Sequence, residues 1–236
     1  MSEPMSTVQL PLNLALPDTA SLEGFVGATN AGPRAAVADL VASSGQRLFI
    51  HGPADSGKTH LLQAACQAVG DQGERAVYVP LAQLDANPGA VLAGLETLDC
   101  VCIDDLSAQV GDAGVEIALI GLIDALHARR ARAIFADRLP PAALPVYYAD
   151  LASRLGWGGA LSLAEPSDED KLTLLQNRAE QRGLELPAST ANWLLQHGAR
   201  GVGDLLAGID QLDRASLAAQ RRLTIPFVKQ VFQAAR

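Results

Sequence analysis

Aromatic side chains are scarce. Phe, Trp and Tyr make up 4% of the 236 residues, whereas hydrophobic residues as a class reach 49%. The core must therefore be built from Leu, Ala, Val and Ile, and global disorder is excluded. Basic charge is also in deficit: 18 Lys and Arg against 26 Asp and Glu give a net charge of −8 and a pI near 4.9. Such a surface is a poor general binder of phosphate backbones, so any work near DNA is expected to be brought there by another protein. Cysteine is limited to Cys66, Cys100 and Cys102. This odd number, with no basic leader in residues 1–6, points to a reducing, cytoplasmic setting. No histidine cluster or second cysteine pair accompanies Cys100 and Cys102, so buried core thiols are expected instead of zinc ligands. No apolar run approaches the ~18 residues of a membrane span.

Against these absences stands one dense stretch, LFIHGPADSGKTHLL, at residues 48–62. Its Gly52, Asp55, Ser56, Gly57, Lys58 and Thr59 fall within G-x-x-x-x-G-K-[ST], between a strand-like and a helical run. Glycines let several N–H groups converge on phosphate oxygens, and the helix N-terminus adds partial positive charge. Lys58 can reach β- and γ-phosphates, and Thr59 can ligate Mg²⁺. An ATP or ADP site is thus expected. Cys100 to Ile103 reads as a buried strand ending in Asp104 and Asp105. Ligands of parallel sheets lie at such strand ends, so Asp104 is a candidate for the Mg²⁺ and Asp105 for orienting water. A following strand ends at Asp137, which either senses a γ-phosphate or simply begins a loop. Phe25, Val26 and Asn30 precede the first strand, near where a nucleotide base would lie, yet suit ordinary packing equally well. Arg154 ends a short helix, where it can cap carbonyls.

Beyond Pro166-Ser167 the periodicity is helical throughout: 168–182, 189–197, 202–220 and a last helix after Thr224. The expected organisation is a tail at 1–24, an α/β phosphate-loop domain with a parallel sheet at 25–165, and a small all-helical lid domain at 166–236. In the tail, after Gln9, Pro11 and Pro17 oppose a helix, yet Leu10, Leu12, Leu14 and Leu16 recur at period two and put apolar side chains on one face. An extended chain with that pattern either packs on its own domain as an edge strand or docks into a groove on a partner.

An α/β phosphate-loop domain followed by a helical lid is the AAA+ layout. Phe25-Val26-Gly27 with Asn30, Gly57-Lys58-Thr59-His60-Leu61-Leu62, Ile103-Asp104-Asp105, Asp137-Arg138-Leu139-Pro140 and Ser153-Arg154-Leu155-Gly156-Trp157-Gly158 narrow it further. These stretches resemble the DnaA replication-initiator family over residues 25–236. The resemblance adds His60 to the nucleotide-site candidates and puts the family's trans-acting arginine at Arg154. The 9–14 stretch looks like the peptide that bacterial proteins insert into the sliding clamp, the β subunit of DNA polymerase III. It departs from the commoner form with Pro11 and Asn13 between its leucines. Initiators of the family continue into a DNA-binding domain, whereas this sequence stops after the lid. The resemblance therefore implies a regulator: ADP-bound, docked on the DNA-loaded clamp, touching DNA only indirectly, and stimulating ATP hydrolysis by the initiator DnaA with Arg154. It leaves a homo-oligomeric resting state open. One departure concerns the lid, where Gly203 stands at the position of the family's nucleotide-facing arginine. Weak intrinsic hydrolysis is the expectation from that. The alternatives are an autonomous AAA+ ATPase or helicase loader, and a non-catalytic clamp-binding adaptor.

Overall fold

A computed structural model describes residues 20–84, 88–199, 201–219 and 221–234. The strands are β1 (Arg47–His51), β2 (Ala76–Pro80), β3 (Cys100–Asp104), β4 (Arg132–Asp137) and β5 (Ala160–Ser162). They form one parallel sheet in the order β2-β3-β4-β1-β5. Both faces are covered, which is why β3 and β4 are buried at every position. Alternation along each strand sorts the two faces. Phe49, Val101, Ile103 and Phe135 point to one, where α4 (Ala113–Ala128) and α5 (Ala149–Leu155) pack. Leu48, Ile50, Cys102 and Ile134 point to the other, against α1 (Ala31–Ala42) and α2 (Lys58–Asp71). Between β2 and β3 lies the short α3 (Pro88–Leu92). The three thiols are free and buried, with Cys100 and Cys102 sulfurs 4.0 Å apart on one face as their i,i+2 spacing requires.

The helices begin where local chemistry tells them to. Asp112 caps α4 by accepting from the N–H groups of Gly114 and Val115 at 2.8 and 3.0 Å. Leu119, Leu122, Ile123 and Leu126 of that helix are buried on the sheet, each worth about 1.5–3 kcal/mol relative to exposure. In α6 (Asp168–Gln181), Ser167 and Asp170 form a reciprocal capping box, and three acidic residues in the first turn complement the helix dipole. The helices α6, α7 (Ala188–His197), α8 (Val202–Ala219) and α9 (Ile225–Ala234) enclose a separate core of Leu175, Leu194, Ile209, Leu212, Phe227 and Val228.

Glu116 is the least expected core residue, with no exposed surface. Its carboxylate accepts from the backbone N–H groups of Gly111, Tyr147 and Tyr148 at 2.8, 2.7 and 2.8 Å. It thereby ties the start of α4 to the segment that launches α5. Burial pushes its pKa up, but the three N–H bonds outweigh this and hold it below the usual carboxylate range. The stabilisation is present above the unfolded value of about 4.3 and is lost as pH falls through the lower folded value. Glu116→Gln turns an NH₂ donor toward one of these N–H groups and is expected to cost about 1–3 kcal/mol. Urea midpoints measured from pH 7 down to pH 3 should fall less steeply for the variant than for the parent.

Candidate functional site

The phosphate loop leaves β1 and enters α2 through two positions that only glycine can fill. A Cβ on Gly57, at φ +93°, would meet the Phe25 ring at 2.6 Å, and one on Gly52 would meet the Leu163 carbonyl oxygen at 2.4 Å. Lys58 is buried beneath the loop, where its ammonium donates to the carbonyls of Gly52 and Pro53 at 2.8 and 2.6 Å. Burial lowers its pKa, while Asp104 and Asp105 pull in the opposite direction.

The carboxyl ends of β1, β3 and β4 converge beside Lys58. Thr59 Oγ1 donates to Asp104 Oδ2 at 2.6 Å, and the Tyr78 hydroxyl donates to the same oxygen at 3.0 Å. Burial and the Asp104 charge push the Tyr78 phenol upward, so it stays a donor. Asp104 is almost wholly buried, whereas Asp105 is partly open and adopts φ +55°. Burial, Asp104 and Asp137 raise the Asp105 pKa. Asp137 accepts from the Ser107 and Leu139 N–H groups at 2.6 and 3.0 Å, which fixes its carboxylate at the end of β4. The hydroxyl of Thr59 and the carboxylate of Asp104 are an all-oxygen donor pair of the kind that suits Mg²⁺ alongside nucleotide phosphates.

Next to the loop is a cleft with a cavity volume of about 160 Å³. Phe25, Val26, Asn30, Asp55, Ser56, Gly57 and His60 line its α/β side. Asn30 is also pinned to the Ala164 backbone by two 2.9 Å hydrogen bonds. His60 Nε2 lies 2.9 Å from the Ser21 carbonyl, and burial lowers its pKa, favouring the neutral ring as donor. The opposite wall comes from the lid: Leu174, Asn177, Arg178 and Gln181 of α6, and Val202 and Leu206 of α8. Arg178 is held by Asp210 through bonds of 3.0 and 2.7 Å. These lid residues escaped the sequence reading because α6 looks like any amphipathic helix. Their i,i+3 and i,i+4 spacing from Leu174 was the available signal.

Asp55 bridges the two walls. It takes φ +58° in the loop, and its carboxylate faces the start of α8. A side chain on Gly201 would meet it at 2.9 Å, and one on Gly203 would meet it at 4.0 Å.

Arg154 is elsewhere. It lies on α5, outside the residues that line the cleft, and is 18% exposed. A shallow groove beside it is lined by Pro140, Pro141, Ser153 and Trp157. The Gly158 backbone lies directly on the Arg47 carbonyl, bringing Trp157 within 5.2 Å of the Arg47 guanidinium. Gln9, Leu10, Leu12 and Leu14 fall outside the described residues.

Comparison with known proteins places this geometry. The family model for the bacterial DnaA ATPase domain matches residues 16–162, and that for the Hda lid domain matches residues 168–232. Among solved structures, domain III of the Thermotoga maritima replication initiation protein DnaA superimposes with a TM-score of 0.80 at 22% identity, covering 93% of this chain and 98% of that one. AMPPCP-bound DnaA from Aquifex aeolicus gives 0.70 at 23% identity, covering 83% of this chain and 65% of that one. The RuvB Holliday junction branch migration motor of Thermotoga maritima gives 0.69 at 16% identity, covering 93% and 72%. The chain thus spans less than two thirds of the Aquifex initiator.

Proposed function

Since this chain belongs to the DnaA-related AAA+ family and carries an Hda-type lid, we propose that it is a negative regulator of chromosome replication initiation that, nucleotide-bound and docked on the DNA-loaded sliding clamp, stimulates ATP hydrolysis by DnaA. One observation carries this reading. The chain has a complete phosphate loop and cleft, and its Arg154 lies outside that cleft, beside a separate groove. A guanidinium outside its own cleft suits a nucleotide held by another subunit, where it would stabilise charge on the transferring phosphoryl group.

The chain's own nucleotide is then a brace. Gly52, Ser56, Gly57 and Lys58 hold its phosphates, and Thr59 and Asp104 hold Mg²⁺. Phe25, Val26, Asn30 and His60 form the base side, with α6 of the lid opposite. The acidic surface fits a DNA link supplied by the clamp, through Gln9, Leu10, Leu12 and Leu14. Among the described residues no helix is long and apolar enough to cross a membrane.

The test is hydrolysis of DnaA-bound ATP with and without this protein, DNA-loaded clamp and ADP. All three are expected to be required for fast turnover. Deleting residues 1–16 should abolish clamp retention on a clamp-coated surface while leaving ADP binding intact. Unchanged clamp binding would refute the peptide assignment, and turnover that ignores this protein would refute the whole reading.

A further inference from the structure

Arg154 is held by partners that differ in kind. Its Nε and Nη2 donate to the two carboxylate oxygens of Asp124 at 2.8 and 3.1 Å, a parallel two-point contact. Asp124 belongs to α4, a helix anchored on the sheet by its buried leucines. Nη1 pairs instead with Asp150, one turn earlier on α5, whose side chain is 60% exposed against 46% for Asp124, so the two contacts differ mainly in geometry and in the element that carries them. The guanidinium carbon also lies 5.3 Å from the centre of the Trp157 ring. Arg47 approaches the same ring, and its buried Nη1 has no hydrogen-bond partner. An i,i+4 surface pair contributes little, whereas a bidentate contact to a helix packed on the sheet fixes both the position and the plane of the guanidinium.

We propose that Asp124 is a positioning residue for Arg154, holding its Nε–Nη2 edge and so orienting the guanidinium beside Trp157, while Asp150 is the exchangeable partner whose place on Nη1 an incoming phosphoryl oxygen takes. This rests on the trans-acting reading of Arg154. Asp124 touches neither nucleotide nor reacting atoms in that scheme. It determines which edge of the guanidinium faces the partner, and misplacement of a charge-stabilising group by an ångström can cost about 10²-fold in rate.

The experiment titrates parent, Asp124→Asn, Asp150→Asn and Arg154→Ala into ATP-bound DnaA with DNA-loaded clamp and ADP, and reads maximal rate and half-saturating concentration separately. A Trp193→Phe background leaves Trp157 as the sole tryptophan, so its emission reports the packing of the guanidinium. Asp124→Asn is expected to lower the maximal rate about 10²-fold with the half-saturating concentration unchanged and Trp157 emission shifted. Asp150→Asn should not lower the maximal rate. If Asp124→Asn keeps the parental maximum, or if Asp150→Asn loses as much, the positioning role is overturned while loss of stimulation in Arg154→Ala keeps the trans reading standing. If Arg154→Ala itself still stimulates, the trans reading falls and the positioning role falls with it.

Discussion

Replacing Arg154 with alanine is expected to lower stimulated hydrolysis of DnaA-bound ATP by about 10³-fold or more, on the scale of other arginines offered in trans. Clamp binding and ADP affinity should be unchanged, because the side chain takes no part in the cleft. The measurement is single-turnover loss of labelled ATP from DnaA on clamp-loaded DNA. Arg154→Lys should recover little. An ammonium is a point charge, whereas the Asp124 contact and a phosphoryl oxygen together demand a planar fork with donors on two edges. A variant that stimulates normally would favour the adaptor reading, in which the nucleotide and the arginine are structural.

The second large effect belongs to Lys58. Its ammonium is buried under the loop on two carbonyls, a position from which it can turn onto phosphate oxygens. Charge-assisted hydrogen bonds contribute about 1.5–3 kcal/mol each, so Lys58→Ala should weaken ADP binding about 100-fold or more by calorimetry. On the brace reading, in which the nucleotide is not consumed, stimulation of DnaA should fall at limiting ADP and recover at high ADP. An autonomous ATPase predicts something else: brisk intrinsic turnover in the parent, lost in both Lys58→Ala and Asp105→Asn, with no recovery at high ADP.

Much of this site was legible because its chemistry is local. The loop at 52–59 must contain glycines at fixed offsets, and the end of β3 must be acidic, so both are written in consecutive residues. The parallel sheet followed from apolar runs ending in polar residues, and the lid from its change of period after Pro166. What stayed hidden depends on distance in sequence. Tyr78 reaches Asp104 across 26 residues, and Asp124 reaches Arg154 across 30. Glu116 sits within an apolar helical face, and no pattern announces that three backbone N–H groups will meet it there. For Arg154, position alone offered only a helix cap, and the trans-acting role proposed for it comes from the family resemblance.

The cleft has a thermodynamic consequence. Its two walls belong to different hydrophobic cores: the α/β side rests on the cluster around Leu61 and Ile134, and the lid side on the cluster around Leu175 and Ile209. Separate cores of this kind are where local unfolding units commonly fall. A ligand bound by both walls is released when either one unfolds, so its binding free energy is charged against both transitions at once. At a hundred times its dissociation constant that is about 2.7 kcal/mol shared by two units. Nucleotide bound by both walls is therefore expected to act as a cooperativity link, drawing the unfolding of the small helical core and of the α/β core toward a single step, as calorimetry with and without ADP would show.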